Sequence, residues 1–136
     1  MTQEDKDLLM KDLCARLPYG VKVLIQDTFK YSIVSPERHV LDVSNFSDIF
    51  CFKYKKLDTH MKKAMRERPD YIVIKPYLFP LSSITKAQKT EEYELMNSNF
   101  YTSTVELPDF YNKNHIDYRG LIPMGLANDA TGLNIY

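Results

Sequence analysis

Val21-Lys22-Val23-Leu24-Ile25 and Phe29-Lys30-Tyr31-Ser32-Ile33 decide the fold class. The first is a short β-branched run. The second alternates large apolar and polar residues, the period-two pattern of a strand with one wet face. Ser35-Pro36-Glu37-Arg38 reads as a turn, with proline presetting its backbone angle. Three more strands are predicted over residues 39–43, 49–54 and 71–74, the middle one placing Phe50, Phe52 and Tyr54 on one side. Short strands at this spacing form an antiparallel sheet, and curling it towards a small SH3-like barrel removes its open edges.

Upstream, residues 1–17 read as a helix. Thr2 caps it, Asp5 completes an acidic variant of the capping box, and Leu9, Leu13 and Leu17 recur every four residues. Lys6, Lys11, Asp12 and Arg16 supply its polar positions, and Pro18 with Gly20 ends it. Downstream, Lys75-Pro76-Tyr77-Leu78-Phe79-Pro80-Leu81 predicts an extended path across the domain surface, pinned by Tyr77, Phe79 and Leu81. Thr85 with Gln88 is a capping box for a helix over 86–96, and Pro108 suits the first turn of a helix over 109–114, with a start nearer Ser103, where Glu106 completes a box, as the alternative. Gly120, Pro123, Gly125 and Gly132 interrupt the C-terminal stretch, so residues 121–136 read as an irregular tail.

The chain therefore reads as one α+β domain over 1–136: a helix (1–17), a five-stranded antiparallel sheet (21–75) with a basic insertion (53–68), then an extended segment, helices and tail (76–136). The 136 residues suit a single core, and 44% hydrophobic residues is too many for a disordered polymer. No apolar run reaches the roughly 20 residues of a membrane span. Residues 1–7 lack the basic head and apolar centre of a secretory signal, which points to the cytoplasm. Cys14 and Cys51 are then expected as reduced, buried thiols. The cysteines and the scattered His39, His60 and His115 offer no metal-ligand spacing, and no cofactor is expected.

No P-loop, GxGxxG, HExxH or GxSxG motif is present, so no catalytic residues are assigned. His115 and Asp117 would share one side of an extended chain, half of a general-base arrangement for a small hydrolase, without a nucleophile at a recognisable spacing. Charge is more uneven than the zero net suggests. Between Lys53 and Arg68, seven basic residues (Lys53, Lys55, Lys56, Lys62, Lys63, Arg66, Arg68) face two acidic ones, a local net of +5. Beside Tyr54 and Tyr71 that segment suits weak, salt-sensitive single-stranded nucleic-acid binding. The rich tyrosine and phenylalanine content favours protein contacts instead, with Tyr77, Phe79, Tyr111, Tyr118 and Arg119 as candidate partner-binding or self-association residues.

Three blocks carry a resemblance: Leu13-Cys-Ala-Arg-Leu-Pro-Tyr-Gly-Val-Lys22, Lys75-Pro-Tyr-Leu-Phe-Pro-Leu-Ser-Ser-Ile-Thr85 and His115-Ile-Asp-Tyr-Arg-Gly-Leu-Ile122. Together they resemble a group of small uncharacterised proteins from gut anaerobic bacteria and their phages or mobile elements. The resemblance implies a cytoplasmic accessory protein in a phage or mobile-element context, and carries no activity. The expectation is a non-enzymatic binding or adaptor module, with nucleic-acid binding second and a hydrolase third.

Overall fold

The computed structural model describes residues 2–27, 40–42, 66–67 and 72–136. The architecture is α+β, built on one long central strand. Helix α1 (Gln3–Arg16) is followed by a short 3-10 turn (Leu17–Tyr19), β1 (Lys22–Asp27) and β2 (Val40–Asp42). Strand β3 (Ile72–Pro80) then leads through a second 3-10 turn (Leu81–Ser83) into α2 (Lys86–Met96). A π-helical stretch (Thr102–Glu106) runs into α3 (Leu107–Lys113), and two-residue strands β4 (Ile116–Asp117) and β5 (Asn128–Asp129) complete the order.

The capping boxes fold as their sequences dictate. Asp5 N–H donates to Thr2 Oγ1 and Thr2 N–H to Asp5 Oδ2, both at 3.1 Å. At α2, Gln88 N–H donates to Thr85 Oγ1 at 3.2 Å and Thr85 N–H to Gln88 Oε1 at 3.0 Å. Each reciprocal pair satisfies two donors at a helix start. Gly20, at φ 70°, closes the first 3-10 turn in the left-handed region that glycine enters without a steric penalty. The helix around Pro108 starts earlier than Asp109, with helical turns already present from Thr102, near the alternative start at Ser103. Proline offers no N–H and would press on the carbonyl four residues back; the preceding turn widens, with Leu107 N–H reaching Thr102 O.

Three of the predicted strands are present, at β1, β2 and the start of β3, with Val23 opposite both Leu41 and Pro76. The expected strands over 29–33 and 49–54 lie outside the described residues, as do Cys51 and the basic insertion apart from the exposed Arg66 and its neighbour Glu67. The wholly antiparallel sheet is corrected. The strand path is β2-β1-β3-β4, with β5 also on β3, and both β4 and β5 run parallel to β3. Among the described residues the sheet is mixed and open.

The reason lies in β3, which does not stop at Ile74. Its first half pairs with β1 as far as Pro76, and from Tyr77 it pairs with β5 and then β4. Pro76 has no N–H to leave unpaired, so it sits where the strand exchanges one set of partners for another. The side-chain parity is also the reverse of expectation. Pro76 and Leu78 are buried, Tyr77 and Phe79 are half-buried, and Leu81 is exposed. Leu78, Leu121, Leu126 and Ala127 form a core cluster against which Leu8 and Ile122 pack, so the irregular tail supplies much of the interior.

Helix α1 buries Leu9, Asp12, Leu13 and Arg16. At 3.6 residues per turn these four fall within about 100° of arc, while Cys14 lies about 140° round from Leu9. Cys14 is accordingly an exposed free thiol rather than a core residue.

Candidate functional site

Two regions carry the polar chemistry, and they are connected. The inner one is built on the fully buried Asp12 and Arg16. One helical turn separates them, so the guanidinium reaches back over the carboxylate. Nε donates to Oδ2 at 2.8 Å and one Nη to Oδ1 at 3.1 Å. The same Nη also donates to Ile116 O at 2.7 Å, tying α1 to β4. Arg119 donates to Asp12 Oδ1 at 2.7 Å, which places two guanidinium groups on one buried carboxylate. Pairing and multiple hydrogen bonds are what allow charges to stay in such a place.

Arg119 also lies over the Tyr118 ring, 4.6 Å from its centroid, and Tyr118 stacks on Tyr111 at 4.9 Å and 18°. Tyr111 then donates its hydroxyl to Glu92 of α2 at 2.8 Å. Burial, that hydrogen bond and the Glu92 charge push the Tyr111 hydroxyl up to about 12. A continuous line of contacts thus runs from the interior of α1 to the outer helix α2. Three of the five expected contact residues, Tyr111, Tyr118 and Arg119, are brought together in this line, where they bind one another.

Tyr77 and Phe79 belong to a second junction. The Tyr136 hydroxyl donates to Tyr77 O at 2.7 Å and accepts from Lys22 N–H at 2.8 Å. Its ring stacks on His115 at 3.7 Å and lies 5.9 Å from Phe79. Burial first, then the charges of Arg16 and Lys22, hold His115 down to about 4, so the imidazole is neutral at pH 7. Its Nδ1 is buried without a hydrogen-bond partner.

His115 and Asp117 are not brought together as a catalytic pair. Asp117 uses its two carboxylate oxygens to accept from Leu121 N–H and Ile122 N–H, both at 2.8 Å, and so shapes the turn after β4. His115 sits at φ 57°, outside the extended geometry that would align the two side chains. No group of three potential metal ligands occurs among the described residues, and none of their helices is long and apolar enough to cross a membrane. A cleft of about 150 Å³ between Phe79, Ile84, Gln88, Asn114 and Ile116 is well below the roughly 300 Å³ of an ordinary small-molecule site.

The outer region is the hairpin of α2 and α3 with the π-helical stretch between them. Helix α2 buries none of its residues. Around its end, Phe100 is 83% exposed, Tyr93 68%, Tyr101 63%, Met96 55% and Val105 42%. Five large apolar side chains in so short a segment stand out where single exposed ones would be ordinary. Glu91, Glu94, Glu106 and Asp109 are exposed in the same segment, with Glu92 half-buried against Tyr111. Between Lys89 and Lys113 the chain carries these five acidic residues and no Lys or Arg.

The candidate residues from sequence thus missed both ends of the contact line. Asp12 and Arg16 looked like solvated helix positions, although their spacing from Leu9 and Leu13 puts them on the apolar face. Tyr93 and Met96 are not among the sequence candidates; the signal that could have found them is the run of acidic residues between Lys89 and Lys113. No protein-family model, curated protein or solved structure matches the chain.

Proposed function

We propose that the chain is a small non-enzymatic binding or adaptor module whose contacts are with protein. The observation that carries this reading is the exposed set Tyr93, Met96, Phe100, Tyr101 and Val105 on the α2–α3 hairpin. Aromatic and Met side chains are enriched in protein interfaces, and a few buried aromatic anchors dominate their energetics. Tyr111, Tyr118 and Arg119 serve the same surface from behind, by fixing α2 through Glu92. The Asp12 pairing of Arg119 holds that support in place.

The test is a photo-crosslinking amino acid placed at Tyr101 in the producing cell, with Lys11, an exposed site on α1, as control. Discrete protein adducts at position 101 that are missing at position 11 are expected. No discrete adduct at 101 would count decisively against the reading. The same proposal includes the cytoplasm as compartment and a phage or mobile-element origin. It also includes a curl of the sheet towards an SH3-like barrel.

A further inference from the structure

We propose that the tip of the α2–α3 hairpin receives a basic, amphipathic segment of a partner protein, an inference that rests on the binding-module reading above. The surface has two matched properties. Its apolar side chains, Phe100 and Tyr93 foremost, are large and exposed enough to act as anchors once water is excluded. Its charge is predominantly negative: Glu91, Glu94, Glu106 and Asp109 are exposed, with Lys89, one turn before Tyr93, and Lys113 bounding a stretch that holds no other basic residue.

Charge complementarity selects among the occupants. A nucleic-acid backbone or an anionic membrane surface would bring phosphates against carboxylates, which is repulsive. Two copies meeting face to face through this tip would set one acidic rim against its twin, because a two-fold interface pairs each patch with itself. A Lys/Arg-rich helix with one apolar face meets both requirements, burying its stripe on the aromatics and its charges at the rim. Such rim charges act mainly on association rate and on partner choice, and their effect weakens with salt.

The probes are two labelled peptides of about 18 residues, long enough to form a helix on binding. One carries Leu on one face and Lys on the other; the second replaces every Lys by Glu. Binding to the full chain is read by fluorescence anisotropy at about 0.15 M salt, where the screening length is about 8 Å. The Leu/Lys peptide is expected to bind and the Leu/Glu peptide is not. Phe100→Ser with Tyr101→Ser should weaken the Leu/Lys peptide by about tenfold or more, since anchors carry most of the affinity. Glu91→Gln, Glu94→Gln and Glu106→Gln together should weaken it several-fold through association rate, and these exposed positions leave folding intact even where the double Ser variant does not.

Absence of Leu/Lys binding, or binding indifferent to both sets of substitutions, overturns the basic-partner inference. Phe100-dependent binding of the Leu/Glu peptide overturns it while leaving the module reading in place. So does a concentration-dependent dimer by sedimentation that is lost in Phe100→Ser, since the occupant is then a second copy. The module reading falls separately, on the absence of crosslinks at position 101.

Discussion

Replacing Asp12 by Leu tests the buried centre most directly. The carboxylate is fully buried and faces two guanidinium groups, from Arg16 and Arg119. Leucine fills similar space but removes the one carboxylate that, among the described residues, holds Arg16. Arg16 then keeps only carbonyl acceptors, Ile116 O at 2.7 Å and Tyr111 O at 3.5 Å, while staying in the interior. Deleting one partner of a buried pair costs about 3–5 kcal/mol, because the other charge is left uncompensated. At about 3–4 °C per kcal/mol for a chain of this size, the midpoint of thermal unfolding falls by about 10–20 °C. Urea unfolding followed by circular dichroism gives the same quantity with an unchanged slope.

The arrangement also predicts an asymmetry. Arg16→Met leaves Asp12 paired with Arg119, so it should cost less than Asp12→Leu. The double variant should be more stable than Asp12→Leu alone, since the orphaned charge has gone, though Ile116 O loses its donor at about 1–3 kcal/mol. Two results would refute this reasoning: Asp12→Leu within about 1 kcal/mol of the parent, or a double variant less stable than Asp12→Leu.

Three other perturbations concern individual side chains. The unfolded imidazole titrates near 6.5 and the folded His115 near 4, so between these values the unfolded state binds more protons. Stability is then fully present above about pH 6.5 and is lost as pH falls towards 4; in His115→Asn, whose side chain tolerates φ 57°, that part of the profile should flatten in urea midpoints. Cys14 should react with a thiol reagent in the native Cys51→Ser protein at nearly the rate of a model thiol, and protection until unfolding would contradict its exposure. Thr85→Ala removes the α2 cap at a local cost of about 0.5–2 kcal/mol. Because α2 buries no residue, Gln88 amide exchange should accelerate while the global unfolding midpoint moves by about 2 °C or less.

The elements that sequence made legible are those set by local physics. Thr2 with Asp5 and Thr85 with Gln88 form both halves of their capping boxes, because those bonds close within three residues. The β-branched run over 21–25 reads as a strand because branched side chains favour the extended backbone, although its pairing partners lie far along the chain. The features that stayed hidden depend on partners distant in sequence. The parallel strands β4 and β5 are two residues each, too short for any periodicity, and exist because β3 offers its backbone beyond Pro76. Arg16 looks like an outward polar position until Ile116 O, 100 residues away, and Arg119 are known to meet it and its partner Asp12. Tyr118 and Arg119 are expected from sequence at a contact surface; what the structure adds is their intramolecular neighbours, with Tyr118 stacked on Tyr111 and Arg119 paired with Asp12.

That line bears on how the exposed hairpin can act. A helix with no buried residue, as α2 is, gains little from packing and would ordinarily be a weak platform. Its ties to the rest of the fold are polar: Gln88 Nε2 donates to Asn114 Oδ1 at 3.4 Å, and a line of contacts runs inward from Glu92. Glu92 accepts from Tyr111, Tyr111 stacks on Tyr118, Tyr118 lies beneath Arg119, and Arg119 is held by a carboxylate that cannot relax into water. Ordering a surface before its partner arrives removes part of the entropy lost on binding. A buried ion pair is a poor way to gain net stability, since apolar residues of the same volume usually do as well. Its directional bonds do what apolar packing cannot, fixing the angle at which α1, β4 and the segment carrying Arg119 meet. On the proposed binding-module reading, the charged centre and the apolar tip act together, the first setting the position of the second.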